Sequence, residues 1–171
     1  MNENYEKALE LILEHEGGYV HHKDDHGGAT NMGVTQESYD SFLRRNGHRP
    51  RPVSMITNDE VKSIYREYWE KAKCDELKDG VDIIHFDMAV NAGTHQAAKI
   101  LQRAVGVTAD GIIGPITLGR IKLMKAADII NNYTDRRISF YIGLVERDIT
   151  QLVFLRGWIR RAVSFLNEGE V

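Results

Sequence analysis

The residues best suited to chemistry lie close together, between positions 15 and 35. Glu16 closes an amphipathic stretch and stands directly before Gly17-Gly18. At the C-terminal end of a helix the macrodipole places partial negative charge, so a carboxylate there is disfavoured and its pKa rises. A raised carboxyl is what a general acid needs to keep its proton near neutral pH. The plainer reading of the same residue is a solvated glutamate at a helix end. Asp24, Asp25 and Thr30 follow within one excursion of the chain. With Glu16 they form the residue set of two-carboxylate glycoside hydrolysis, one group as acid and the other as base or electrostatic stabiliser, with Thr30 able to hold a water. A carboxylate on such an excursion faces Glu16 across a gap more easily than it touches it, which favours inversion of the anomeric centre. On residue types alone, Asp24 and Asp25 read more simply as turn residues bonding local backbone.

Other candidates carry weaker signals. His15, His21, His22 and His26 cluster beside these aspartates. The helical zinc signature needs histidine at both ends of H-E-x-x-H, and His15-Glu16-Gly17-Gly18-Tyr19 lacks the second, so no metal site is expected. Cys74 is the only cysteine, which excludes an internal disulfide and reads as a half-buried side chain near a helix end. Residues 107–117 have the helix, tight turn, helix rhythm of a DNA reader. The second helix offers only Arg120, Lys122 and Lys125, and the chain is not basic overall, so nucleic acid is not an expected partner. Arg156, Arg160 and Arg161 beside Trp158 read as a solvated helix face.

These residues must be held by a largely helical scaffold. Tyr5, Ala8, Leu9, Ile12 and Leu13 recur at i, i+3, i+4, i+7 and i+8, the stripe of a core-facing helix that Gly17-Gly18 ends. The turn-rich stretch 17–34 predicts a small β-hairpin with Gly27-Gly28 as its turn. Thr35 is placed to cap a helix bearing Tyr39, Phe42 and Leu43. Residues 45–53 form a loop, and Thr57-Asn58-Asp59-Glu60 is a capping box. The run from Val81 ends at Gly93, and Thr94 is expected to cap a helix that stops at Gly106. Asp110-Gly111 marks a turn, Pro115 opens a helix, and a long helix spans about 126–147 before a final amphipathic one.

Composition sets the outer bounds. The chain has 171 residues, 42% apolar and 27% charged, enough to hide roughly 70% of its extended surface without a metal or disulfide. Net charge is −3, from 22 basic and 25 acidic residues, so neither a general polyanion binder nor a disordered chain is indicated. The opening MNENYEKALE has no basic n-region and no apolar h-region, so no signal peptide is expected, and no run is long enough to span a membrane.

Taken in order, Glu16-Gly17-Gly18-Tyr19, Asp25, Gly27-Gly28-Ala29-Thr30-Asn31 and Gly33-Val34-Thr35 resemble the opening of the family-108 glycoside hydrolases. The second half resembles that family's companion peptidoglycan-binding segment. The matching residues are Asp87, Ala89-Val90-Asn91, Gly93, Leu101-Gln102, Gly106-Val107, Asp110-Gly111, Gly114-Pro115, Thr117, Gly157-Trp158 and Arg161. The two resemblances run from about residue 5 to 165.

The resemblance implies an all-α, lysozyme-like fold with a small β-hairpin near the N-terminus. It implies one domain over 1–171, with a catalytic part over about 5–80 and a helical, peptidoglycan-binding-like part over about 81–165 completing the cleft. The implied activity is that of an N-acetylmuramidase, with Glu16 as catalytic acid and no cofactor. The spacing of glutamate, aspartate and threonine is also similar to the triad of phage-type lysozymes. There the aspartate-to-threonine gap is one residue longer than Asp25 to Thr30, so Asp24 competes with Asp25. Tyr19 and Asn91 become sugar-contacting candidates, with a buried structural Asn91 as the alternative. The implied partner is bacterial peptidoglycan, met by a monomer after phage-type release or non-classical export. A lytic transglycosylase and a catalytically silent wall-binding protein of the same fold are the rival readings.

Overall fold

The computed structural model describes residues 3–15 and 29–166. Among them are eight α-helices and one two-stranded hairpin: α1 (Glu3–His15), β1 (Thr30–Asn31), β2 (Val34–Thr35), α2 (Gln36–Arg45), α3 (Asn58–Lys71), α4 (Val81–Ala92), α5 (Thr94–Val105), α6 (Pro115–Leu123), α7 (Ala126–Arg147) and α8 (Leu152–Ser164). The chain divides into two compact units, Leu9–Glu67 and Met1–Ala8 with Tyr68–Val171.

In the Leu9–Glu67 unit, Leu9 and Ile12 from the α1 stripe are buried, as are Tyr39, Phe42 and Leu43 of α2 and Val61, Ile64 and Tyr65 of α3. The hairpin pairs Thr30 with Thr35 and Asn31 with Val34. Its turn is Met32-Gly33, with φ of 51° and 75°. Two successive left-handed residues make the tight turn whose twist matches a hairpin, and glycine takes the second position without steric cost. The turn expected at Gly27-Gly28 lies outside the described residues. Thr35 caps α2 as expected, its hydroxyl accepting from the Ser38 N–H.

The capping box is complete at α3. The Thr57 N–H donates to Glu60 Oε2 at 3.0 Å, and the Glu60 N–H donates to Thr57 Oγ1 at 3.3 Å. The same carboxylate takes the Tyr39 hydroxyl at 2.8 Å and pairs with Arg51 at 2.6 Å. Burial pushes the Glu60 carboxyl up, but the Thr57 and Tyr39 hydrogen bonds and the Arg51 charge together hold it below the usual range. Gln36 closes the following loop, donating to the Arg51 carbonyl at 2.9 Å and accepting from the Val53 N–H at 2.7 Å.

The other unit is built around α4, in which every residue from Val81 to Ala89 is buried. A helix buried on all sides needs apolar residues all round, and the run Val-Asp-Ile-Ile-His-Phe-Asp-Met-Ala supplies them at six of nine positions. α5 and α7 pack against it. Tyr5, Trp69 and Phe86 meet edge to face, with Trp69 and Phe86 centroids 5.1 Å apart. α4 ends and α5 begins across Gly93 alone, at φ 85° and ψ 152°, a region essentially reserved for glycine. Gly93, and not Thr94, is therefore the N-cap of α5, and Thr94 is its first helical residue. Cys74 is fully buried, not half-buried, and opens a 3-10 turn. No helix among the described residues is long and apolar enough to cross a membrane.

Candidate functional site

Glu16, Tyr19, Asp24 and Asp25, with His21, His22 and His26, lie outside the described residues. α1 is described as far as His15, which precedes Glu16 in the sequence. Thr30 sits on β1, partly buried and paired with Thr35. Its neighbour Asn31 is anchored by a 3.3 Å hydrogen bond to the Val53 carbonyl, which fixes the strand that carries Thr30. Among the described residues, no three histidine, cysteine, aspartate or glutamate side chains gather at metal-binding distances.

Asn91 is exposed near the end of α4, so the reading of it as a buried structural residue does not hold. Its side-chain carbonyl accepts the Tyr141 hydroxyl proton at 2.7 Å. Tyr141 in turn accepts from Arg137 Nε at 2.9 Å. A guanidinium can only donate, so the Tyr141 proton is free to point at Asn91. The amide is thereby oriented with its oxygen turned to Tyr141 and its NH2 left to donate outward.

This chain of contacts rests on Asp87. Arg137 approaches Asp87 Oδ2 at 2.5 Å, close but poorly aligned as a hydrogen bond, while Arg161 places Nε and Nη2 at 2.9 and 2.8 Å from Oδ1. Asp87 and Arg137 are essentially without solvent access and Arg161 is nearly so. One carboxylate therefore pins α4 to both α7 and α8. Arg161 is not on a solvated face, as its neighbours suggested; Arg156 and Arg160 are. Trp158 stacks on Tyr141, centroids 5.2 Å apart. For Tyr141, burial raises the hydroxyl pKa and outweighs the opposing pull of Arg137.

The roles of Arg137 and Tyr141 were missed in the sequence. The signal was present: Tyr133, Arg137 and Tyr141 recur every four residues on α7, and an arginine on a core-facing stripe demands a buried acid.

A second polar node organises residues 107–117. The buried Gln102 donates through Nε2 to Asp110 Oδ1 at 2.7 Å, the Ile112 carbonyl at 3.0 Å and Thr117 Oγ1 at 3.3 Å, and its Oε1 accepts the Gly111 N–H at 2.8 Å. Asp110 also takes the Ile112 N–H at 2.8 Å. The turn is thus a self-satisfied loop folded over α5. Asp110, Gly111, Ile112 and Thr117 are used in holding that shape.

Comparison with known proteins agrees with these features. The sequence model described as Glycosyl hydrolase 108 matches residues 9–93, and that described as Predicted Peptidoglycan domain matches residues 96–163. SagA of Brucella abortus, a solved structure, is 36% identical to the chain, covers 99% of it with 95% of its own length covered, and superposes with a TM-score of 0.84. The chain belongs to the glycosyl hydrolase 108 family. Among curated proteins none matches it. The all-α, lysozyme-like fold class with its small hairpin is that expected from the sequence. Membership makes the chain a glycoside hydrolase directed at peptidoglycan.

The two matched segments meet at the Gly93 corner, yet α4 lies in the first and packs on α5 and α7 of the second. The pairing of Asp87 with Arg137 and Arg161 joins the two segments covalently distant in the chain.

Proposed function

We propose that this family member is an N-acetylmuramidase, cutting the β-1,4 bond between N-acetylmuramic acid and N-acetylglucosamine. The observation that carries the reading is the family match over residues 9–93, which contains the whole ordered set from Glu16 to Asn91. Glu16 protonates the leaving glycosidic oxygen. Water attacks the anomeric carbon, activated by Asp25 or its neighbour Asp24 and held by Thr30, and the product is inverted. Asn91 presents its amide NH2 to a sugar oxygen, and Tyr19 lies against the sugar. The reaction asks only for proton transfer and charge stabilisation.

Zymography in a gel containing peptidoglycan tests this with Glu16→Gln. Loss of at least about 10²-fold in lysis with the helical fold intact is expected for removal of a general acid. Retention of more than about a tenth of the activity would place the acid elsewhere. Mass spectrometry of the products should show reducing muramic acid ends. Products lighter by one water identify a transglycosylase instead.

A further inference from the structure

Three arginines converge on one shallow groove that nothing in the reading so far employs. Arg136 and Arg147 of α7 and Arg103 of α5 surround a groove of about 280 Å³, completed by Ser139, Phe140 and Gly143. All three arginines are exposed, and none forms an ion pair or hydrogen bond among the described residues. The nearby acids of α7, Asp135 and Glu146, are also exposed and pair with none of them. At Gly143 a β-carbon would meet no atom within 4 Å, so the groove is open along its floor.

Placement at a helix end accounts for Arg147, the last residue of α7, but not for the other two. Arg103 stands in the last turn of α5, but the carbonyls there are already served: Arg120 Nε donates to Val105, Asn132 Nδ2 to Ala104, and the Gly106 N–H to Arg103. Arg136 is in mid-helix, where the macrodipole gives a cation no advantage. Three like charges held about one opening, with no carboxylate among them, repel one another until an anion joins them. Guanidinium groups suit carboxylates in particular, because their paired N–H donors match the two oxygens.

We propose that this groove binds the carboxylates of the peptidoglycan stem peptide, so that the enzyme recognises the peptide side of the polymer as well as its glycan strand. The inference rests on peptidoglycan being the substrate. The stem peptide bears several carboxylates on a flexible chain, and the arginines of α5 and α7 offer several guanidiniums around one opening. Phe140 gives its aliphatic portions an apolar wall, and the Ser139 hydroxyl gives its amides a partner.

Titration calorimetry and NMR of the full chain with a soluble stem tetrapeptide test this directly, without reference to catalysis. Wild type should bind the free-acid peptide and lose at least about tenfold in affinity when the carboxylates are amidated. The Arg103→Ala/Arg136→Ala/Arg147→Ala variant should lose a similar factor, since each exposed pair is worth about fivefold at most. Gly143→Glu leaves the arginines in place and brings a carboxylate into the open groove; it should compete internally and weaken binding by up to about fivefold. Equal binding of free and amidated peptide, or an affinity unchanged in both variants, overturns the proposal. So does tighter binding of a glycerol-phosphate oligomer or an oligonucleotide than of the stem peptide. Hydrolysis of glycan strands stripped of peptide separates the two readings: wild type and triple variant should cut them equally. Failure of both to cut them counts against the muramidase reading and leaves the peptide-binding result to stand or fall by itself.

Discussion

The Tyr141 hydroxyl donates to the Asn91 side-chain oxygen across 2.7 Å, and this single bond decides which end of the Asn91 amide meets solvent. Arg137 Nε already donates to the same phenol oxygen at 2.9 Å, so the hydroxyl hydrogen is left for an acceptor, and the Asn91 oxygen at 2.7 Å is both nearer and stronger than Met88 Sδ at 3.7 Å. Arg137 is in turn fixed by Asp87. A buried ion pair thus sets the hydrogen-bonding polarity of an exposed residue two contacts away.

If that polarity serves sugar binding, two substitutions separate its parts. Asn91→Asp keeps an acceptor for Tyr141 but replaces the outward donor with a carboxylate oxygen. Tyr141→Phe keeps the amide but releases its orientation, at a stability cost of about 1–2 kcal/mol. Both should raise KM several-fold with a smaller effect on kcat. Wild-type kinetics in Asn91→Asp would remove Asn91 from the substrate site.

Asp87 is expected to dominate stability. Replacing it by alanine takes the buried carboxylate away from Arg137, a cation essentially without solvent access, at a cost of about 3–5 kcal/mol. Chemical denaturation should show the loss, and Arg161→Ala, with the partly accessible partner removed, should cost less. Equal and small effects for both would mean that water reaches the cluster.

His85 predicts a pH dependence of stability. Burial lowers its pKa to about 4, against a weaker opposing pull from the Ala72 carbonyl, and its Nδ1 lies 3.2 Å from the Tyr133 hydroxyl. The unfolded chain protonates this histidine near pH 6.5, so between about 6.5 and 4 the unfolded state binds more protons than the folded one. Stability therefore falls as pH falls through that window, by up to about 3 kcal/mol from this group. Denaturation midpoints of wild type and His85→Gln between pH 4 and 7 check it: the difference between the two should shrink toward acid pH.

Cutting the chain at the boundary between its two family segments should not yield a folded C-terminal piece. A fragment of residues 96–171 lacks α4, and with it Asp87 and the buried face against which α5 and α7 pack. Circular dichroism should show reduced helicity and no cooperative unfolding. A cooperative transition in that fragment would show that α5 to α8 supply a sufficient core among themselves.

The Gln102 node carries a similar expectation. Gln102→Leu removes four hydrogen bonds at once and leaves the Gly111 N–H without its partner, for a loss of about 2–4 kcal/mol. Hydrogen exchange of the Gly111 amide should accelerate more than that of the α4 amides.

Much of the scaffold was legible in local sequence. The capping box at Thr57 and Glu60, the Thr35 cap and Pro115 at the start of α6 all follow from interactions within a few residues. Such signals are readable because both partners lie on the same short stretch. The hairpin was legible as an element, but the described turn at Met32-Gly33 was not, since a methionine in the left-handed region carries no local signal and strand pairing decides it. Thr94 has the right side chain for a cap, but the backbone of Gly93, which only glycine adopts, took the position.

For the candidate site, the sequence by itself determined the identity of the groups: Glu16, Asp25 and Thr30 in order, and Asn91 before a glycine corner. It could not determine which of these meet. Asp87 lies 50 residues from Arg137 and 74 from Arg161, and no local pattern specifies that one carboxylate will take both. Nor could it decide that Arg161 would turn inward to Asp87 while Arg160, its neighbour, faces water. Only the packing of α4, α7 and α8 settles these points, because desolvation and charge pairing depend on distances through space that the order of residues leaves open.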